Sequence, residues 1–304
     1  MPFKILTFDG GGIGGLFTAV VLDRIAAQFP ALLPTVDLIA GTSTGGIIAL
    51  GLAANKSPAR LADLYRTNAA DIFDDSLWDN IRDFGNATGA DHSNKNLKKI
   101  LTAEFGTGTL GSLSKRVLVP TFDLDSSPAP GRRTWKPKFF HNVPGSDTDA
   151  AESIVDVAMR TSAAPTYFPS YEGYIDGGVV ANNPSMAALA AALDPRSGNQ
   201  NLPNIVLLSF STGCEDRYIK GETHNWGWGQ WARPLVSIMI NGVMGVADFQ
   251  CKQILDNRYH RVDHVMARTV NLNDARPSTL RYLTDEANSV NLAPTLSWLQ
   301  THWL

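Results

Sequence analysis

Cysteine is nearly absent from this chain. Cys214 and Cys251 are the only two, and neither stands at metal-ligand spacing, so a disulfide scaffold and a zinc ribbon are excluded. Two free thiols, buried or half-buried in a reducing compartment, are expected instead. Long apolar runs are missing too: none approaches the roughly 20 residues that cross a bilayer. The opening MPFKILTFDG reaches glycine before a signal-peptide core of about 7 to 15 residues can form. Nor is there an excess of positive charge. Lys and Arg number 26 against 29 Asp and Glu, a net −3 that draws no nucleic acid. The densest basic cluster, KNLKK at 95–99, reads as a solvated helix face. No repeat, low-complexity tract or linker interrupts the sequence. A single domain over residues 1–304 is expected, soluble and cytoplasmic.

What the chain does have is buried strands alternating with helices. Residues 3–8 and 36–41, RVLVPTFDL (116–124) and NIVLLSFST (204–212) are short, nearly continuous apolar runs, as for strands covered on both faces. LFTAVVLDRIAAQF carries apolar residues at helical spacing. AESIVDVAMRTSAAP predicts a helix over 151–165 stopped by Pro165. NNPSMAALAAAL predicts another over 182–193, with Asn183 as cap and Pro184 at its first position. Beyond these, a long helix near 230–257, a strand near 261–272 and one terminal helix are expected. The alternation predicts a three-layer α/β fold with a mainly parallel central sheet flanked by helices.

Glycine is concentrated in two turns. In DGGGIGG at 9–15, Gly10, Gly12 and Gly15 meet the G-x-G-x-x-G spacing of a dinucleotide site. That reading needs an acid at the far end of the next strand to hold a ribose, and Asp37 stands at the start of its strand. The next strand runs instead into Gly41-Thr42-Ser43-Thr44-Gly45, a G-x-S-x-G between strand and helix. Gly41 and Gly45 let the chain bend sharply, which pushes the Ser43 hydroxyl out at the carboxyl edge of the sheet. The same serine could also be a plain helix cap. With the two strands adjacent, the amides of Gly10, Gly11 and Gly12 face the space above Ser43, where an oxyanion growing on an attacked ester would be held.

The group that takes the serine proton is less plain. A Ser-Asp-His triad has His224, His260, His264 and His302 to draw on. Against it, the serine turn comes on the second strand and the oxyanion loop at the extreme N-terminus. The other candidate is Asp176 in GYIDGGVVANNP, although Asp-Gly is also a turn signal. Taken together, DGGGIGG, GTSTGG (41–46), SAAPTYFP and IDGGVVANNP (162–184) resemble the patatin-like phospholipases in order and spacing, from residue 3 to about 213.

That resemblance implies a patatin-like fold, related to but distinct from the α/β-hydrolases, and a lipid acyl hydrolase working through a Ser-Asp dyad. Ser43 matches the family's nucleophile, Asp176 with Gly177 its D-G-G base, and Gly10, Gly11 and Gly12 its oxyanion loop. It implies no metal, calcium included, and no cofactor; the partners are a lipid ester and, briefly, a membrane or micelle surface. One residue departs from the pattern: the family's D-G-G-G-x-R-G carries Arg or Lys where this chain has Gly14. Two aromatic-rich segments, 71–84 and HNWGWGQW at 224–231, are candidates for an acyl channel or for core packing. A binding or scaffold protein on the same fold, and a Ser-Asp-His esterase, are the alternatives.

Overall fold

The structure is a computed structural model that describes residues 2–73, 88–126, 133–145, 147–165, 167–214, 218–220 and 225–304. Among these, seven strands form one sheet in the order β4-β3-β2-β1-β6-β7, with β5 also paired to β3. The strands are β1 (Phe3–Phe8), β2 (Leu38–Gly41), β3 (Arg116–Asp123), β4 (Lys136–His141), β5 (Tyr174–Asp176), β6 (Ile205–Phe210) and β7 (Tyr259–Val262). β3, β2, β1, β6 and β7 run parallel, while β4 and β5 join β3 antiparallel. The mainly parallel sheet predicted from the alternation is thus present.

Both faces of the sheet are covered. Leu6 and Phe8 of β1 point into a larger apolar cluster shared with α1 (Gly15–Gln28), α2 (Thr44–Ala53), α3 (Pro58–Phe73), α5 (Ile154–Thr161) and α9 (Pro277–Ser289). Phe3 and Ile5 alternate to the opposite face, against α7 (Ser185–Leu193) and α8 (Trp228–Leu255). Three layers result, as an all-buried strand requires. α4 (Thr88–Phe105), α6 (Gly178–Ala181) and α10 (Ala293–His302) complete the helices. In α4, Leu97 is buried while Lys95, Lys98 and Lys99 are exposed, the solvated face expected of KNLKK.

Several boundaries differ from expectation. α5 ends at Thr161, not at Pro165, because the next residues serve β5: the Asp176 amide donates to Ala163 O at 2.9 Å. α7 begins at Ser185, although Asn183 Oδ1 still accepts from the Ser185 amide at 3.0 Å. The strand expected near 261–272 is the short β7, and the C-terminus folds as two helices, each entered with a proline in its first turn. Of the aromatic segment 71–84, residues 74–84 lie outside the described residues.

The strand order reverses around β1, so the carboxyl ends of β1, β2 and β6 meet at the usual ligand position in such sheets. β5 matters most here. β4 occupies one edge of β3 over Leu118–Asp123, so β5, paired to Thr121–Asp123, must lie on the other edge, beyond the end of β2. It therefore delivers Asp176 to the point where β2 turns into α2.

Candidate active site

Ser43 is held in a backbone conformation that side chains rarely adopt, φ 55° and ψ −123°. Such a residue costs about 1–3 kcal/mol and persists only where its surroundings impose it. Here they do. A Cβ on Gly41 would strike Gly45 O, and one on Gly45 would strike Phe8 O, so both glycines are required by close approach alone. The Ser43 amide donates to Thr161 Oγ1 at 2.9 Å, and that hydroxyl donates onward to Pro120 O at 2.7 Å. Thr42 is tied to Ala181 O at 2.6 Å. The turn is braced from three elements.

The carboxylate of Asp176 lies within hydrogen-bonding range of the Ser43 hydroxyl. Asp176 is 5% exposed, and its Oδ1 accepts from the Gly178 amide at 2.7 Å. Burial pushes its carboxyl up to about 6, partly offset by the bonds from Ser43 and Gly178. A base that titrates there suits proton transfer at neutral pH far better than one near 3.9. Gly177 sits where a Cβ would collide with Pro120 O, which keeps the Asp176 strand flush against β3.

The glycine loop stands on the other side of Ser43. A Cβ on Gly10 would lie 3.3 Å from Ser43 Cβ. The Gly10 amide, expected as an oxyanion donor, instead donates to Asn182 O at 3.0 Å. This corrects its role: the position needs a glycine so that the chain can pass Ser43 and Asn182, and the amide is already engaged. Gly12 has φ +52° and a Cβ there would strike Leu272 O, so glycine is required on both counts. The amides of Gly11 and Gly12 have no acceptor among the described residues.

Of the four histidines open to a triad, the three that are described lie against other partners. His260 pairs with Thr295 Oγ1 at 3.0 Å and stacks on Trp298; His264 pairs with Glu286 at 2.6 Å and stacks on Phe17. His302 lies against Trp298, and His224 falls outside the described residues. The other passed-over alternatives resolve similarly. Asp37 stands at the amino end of the sheet, opposite the glycine turns, and accepts from the Lys4 amide at 2.8 Å. Cys214 and Cys251 are free, and burial raises their thiols to about 11 and about 12, so both stay protonated. Among the described residues there is no cluster of three or more His, Cys, Asp or Glu that could hold a metal.

Four residues of this site escaped the sequence reading: Thr161, Asn182, Thr212 and Arg261. Asn182 Nδ2 donates to Gly10 O at 3.2 Å, and Thr212 Oγ1 donates to the same oxygen at 3.1 Å. Thr161 directly precedes the SAAP stretch and Asn182 lies in ANNP, so both sat inside quoted motifs. Arg261 lies in YHRVDHVMAR, a stretch read only for its histidines.

A strained serine thus stands on a strand-to-helix turn, with a buried carboxylate against its hydroxyl and a glycine loop alongside. The family model of patatin-like phospholipases matches residues 6–189, and the chain belongs to that family. It is 29% identical to protein teg of Priestia megaterium over 99% of both chains. It is also 31% identical to a cGAMP-activated phospholipase of Vibrio cholerae, over 94% of this chain and 90% of the other. Among solved structures, VipD from Legionella pneumophila aligns with TM-score 0.46 at 12% identity, over 99% of this chain and 67% of its own.

Proposed function

We propose that this chain is a serine lipid acyl hydrolase of phospholipase A or lysophospholipase type, one catalytic unit that cleaves fatty-acyl esters through a Ser43–Asp176 dyad. The observation that carries the reading is the Ser43 hydroxyl within hydrogen-bonding range of the buried Asp176 carboxylate, with the glycine loop passing beside it at Gly10. Ser43 Oγ attacks the acyl carbonyl while its proton passes to Asp176, and the carbonyl oxygen becomes the oxyanion held by the loop. Collapse breaks the ester C–O bond, and Asp176 returns the proton to the departing alcohol. Water then attacks the acyl-enzyme, giving its proton to Asp176, which passes it back to Ser43 as the fatty acid leaves. No step uses a metal or a cofactor. The test is fatty-acid release from a mixed lipid extract, and p-nitrophenyl ester cleavage, by wild type and Ser43→Ala, with a chelator present throughout. Release by wild type alone supports the reading; equal release by both, or a need for added calcium, contradicts it.

Asp176 must be ionised to accept a proton, and its carboxyl lies at about 6. We expect kcat/KM to climb tenfold per pH unit below about pH 6 and to level off above it. A profile that stays flat down to about pH 4 would assign the base elsewhere.

Substrate arrives from an aggregated phase at the outer side of α8. Its inner side reaches the site, since Met244 sulfur accepts from Asn182 Nδ2 at 2.8 Å. Its outer side exposes Ile238, Met239, Val246 and Phe249, the last at 62%. The one acidic residue of α8, Asp248, is paired with Lys252 at 2.7 Å and accepts from Tyr259 at 3.0 Å, so no unpaired carboxylate there repels lipid phosphate. Trp226 and Trp231 pack edge to face, with ring centroids 5.0 Å apart, at the entrance to this helix. Replacing Met239 and Phe249 by Asp is expected to lower turnover of phospholipid vesicles about tenfold and leave a monomeric p-nitrophenyl ester unaffected. Equal loss on both substrates would refute the docking role.

A further inference from the structure

The oxyanion loop faces a mechanical problem: three successive glycines have no side chains with which to hold their own amides in place. Donors of this kind work only when fixed to within a fraction of an ångström. The family's pattern places a cation within the loop, at the position of Gly14. Here a Cβ on Gly14 would lie 2.9 Å from both Thr212 Cβ and Thr212 O, so that place is filled.

A cation reaches the loop from elsewhere. Asp9 is the residue on which the loop begins, and its carboxylate is buried, with a side-chain exposure of 1%. Arg261 on β7 grips it as a fork: Nη2 to Oδ2 at 2.5 Å and Nη1 to Oδ1 at 3.3 Å. The guanidinium is itself only 10% exposed. Its Nη1 also donates to Ser209 Oγ at 3.0 Å, and Ser185 Oγ links Ser209 to Thr7 at 3.2 and 2.7 Å. The fork is thus tied to β1, β6 and β7 at once. Asp263 stands 3.7 Å from Nε, so the group carries no surplus positive charge to offer an oxyanion. Its role is geometric.

We infer that Arg261 is a positioning residue: through Asp9 it fixes the start of the glycine loop, and so the placing of the Gly11 and Gly12 amides proposed as oxyanion donors. The rest of the loop is held by neutral bonds, from Gly10 to Asn182 and Thr212 and from the Ile13 amide to Leu272 O at 2.9 Å. Arg261 is the charged, bidentate anchor, and a point charge is a poor substitute for its fork.

This inference rests on the hydrolase reading, and its test separates the two. An alkyl trifluoromethyl ketone is the probe. Ser43 Oγ adds to its carbonyl, the proton passes to Asp176, and the former carbonyl oxygen becomes an oxyanion that reports the loop. Arg261→Gln should lower kcat about 10- to 100-fold with KM changed less than threefold, as a misplacement near 1 Å does. Ketone affinity should fall by the same factor as kcat/KM. Arg261→Lys should fall between Gln and wild type.

The deciding variant is Asp9→Asn with Arg261→Gln, which removes both charges and leaves no buried carboxylate unpaired. Should Arg261 merely neutralise Asp9, that double variant regains wild-type kcat and ketone affinity, and the inference is overturned. A double variant that melts with wild-type cooperativity yet keeps the kinetic and ketone defects supports it. A wild type that neither cleaves ester nor binds the ketone removes the hydrolase reading and this inference with it. A wild type that does both, beside an unimpaired double variant, removes the inference alone.

Discussion

Replacing Asp176 by Asn is expected to abolish turnover and, at the same time, to make the protein more stable. The first half follows from the dyad. Asn has no basicity, so the Ser43 proton has no acceptor and the rate should fall about 10³- to 10⁴-fold. The second half follows from burial. The Asp176 carboxyl is raised from 3.8 to about 6 in the folded chain, so the fold holds its proton more tightly than the unfolded chain does. For a carboxyl raised in this way, ionisation opposes folding. Stability linked to this group is full below about pH 4 and is lost as pH climbs through about 6. Two pH units correspond to about 3 kcal/mol, which Asn, neutral at every pH and still able to accept from Gly178, would restore. Thermal melts should show Asp176→Asn several degrees above wild type at pH 7.5 and level with it at pH 4. Equal melting at both pH values would mean that the carboxylate is solvated, and the proposed base would lose its basis.

Ser43 yields the second large effect, again with opposite signs for rate and stability. Ser43→Ala and Ser43→Gly both remove the nucleophile, and both should be inactive. They differ in the backbone. Alanine keeps a Cβ at φ 55°, where it costs about 1–3 kcal/mol, whereas glycine takes that conformation freely. Against this, glycine adds entropy to the unfolded chain, a penalty near 0.4–1 kcal/mol. We expect Ser43→Gly to exceed Ser43→Ala by about 1 kcal/mol in denaturant unfolding. The reverse order would mean that the turn carries no strain.

These expectations show which parts of the site were legible in the sequence. β1, β2 and the two glycine turns could be read because their signal is local: a buried strand, glycine where a Cβ collides, then a helix. β5 could not, since three residues leave no periodicity and Asp-Gly reads as a turn. Its pairing with β3, across more than fifty residues, is what brings Asp176 to Ser43. β4 was hidden for another reason: KPKFFH is an edge strand with lysines and a proline, the devices that protect a sheet edge and erase the buried-strand pattern. Gly10 was assigned a donor role because nothing in DGGGIGG discloses an acceptor 172 residues away. Arg261 lies 252 residues from Asp9, in a stretch whose histidines drew notice first.

The Cβ collisions at Gly41, Gly45 and Gly177 explain why these positions match the family pattern; a side chain at any of them would meet a backbone oxygen, not a flexible neighbour. Gly14 departs from that pattern for an equally physical reason, since Thr212 occupies the space and binds Gly10 O.

The most direct measurement is the mass of the protein after brief exposure to an activated acyl ester or a fluorophosphonate, followed by peptide mapping. We expect one adduct on Ser43 in wild type, none in Ser43→Ala, and formation slowed about 10³-fold or more in Asp176→Asn. Ester cleavage without an adduct at Ser43, or an adduct that forms as fast in Asp176→Asn as in wild type, would contradict the account.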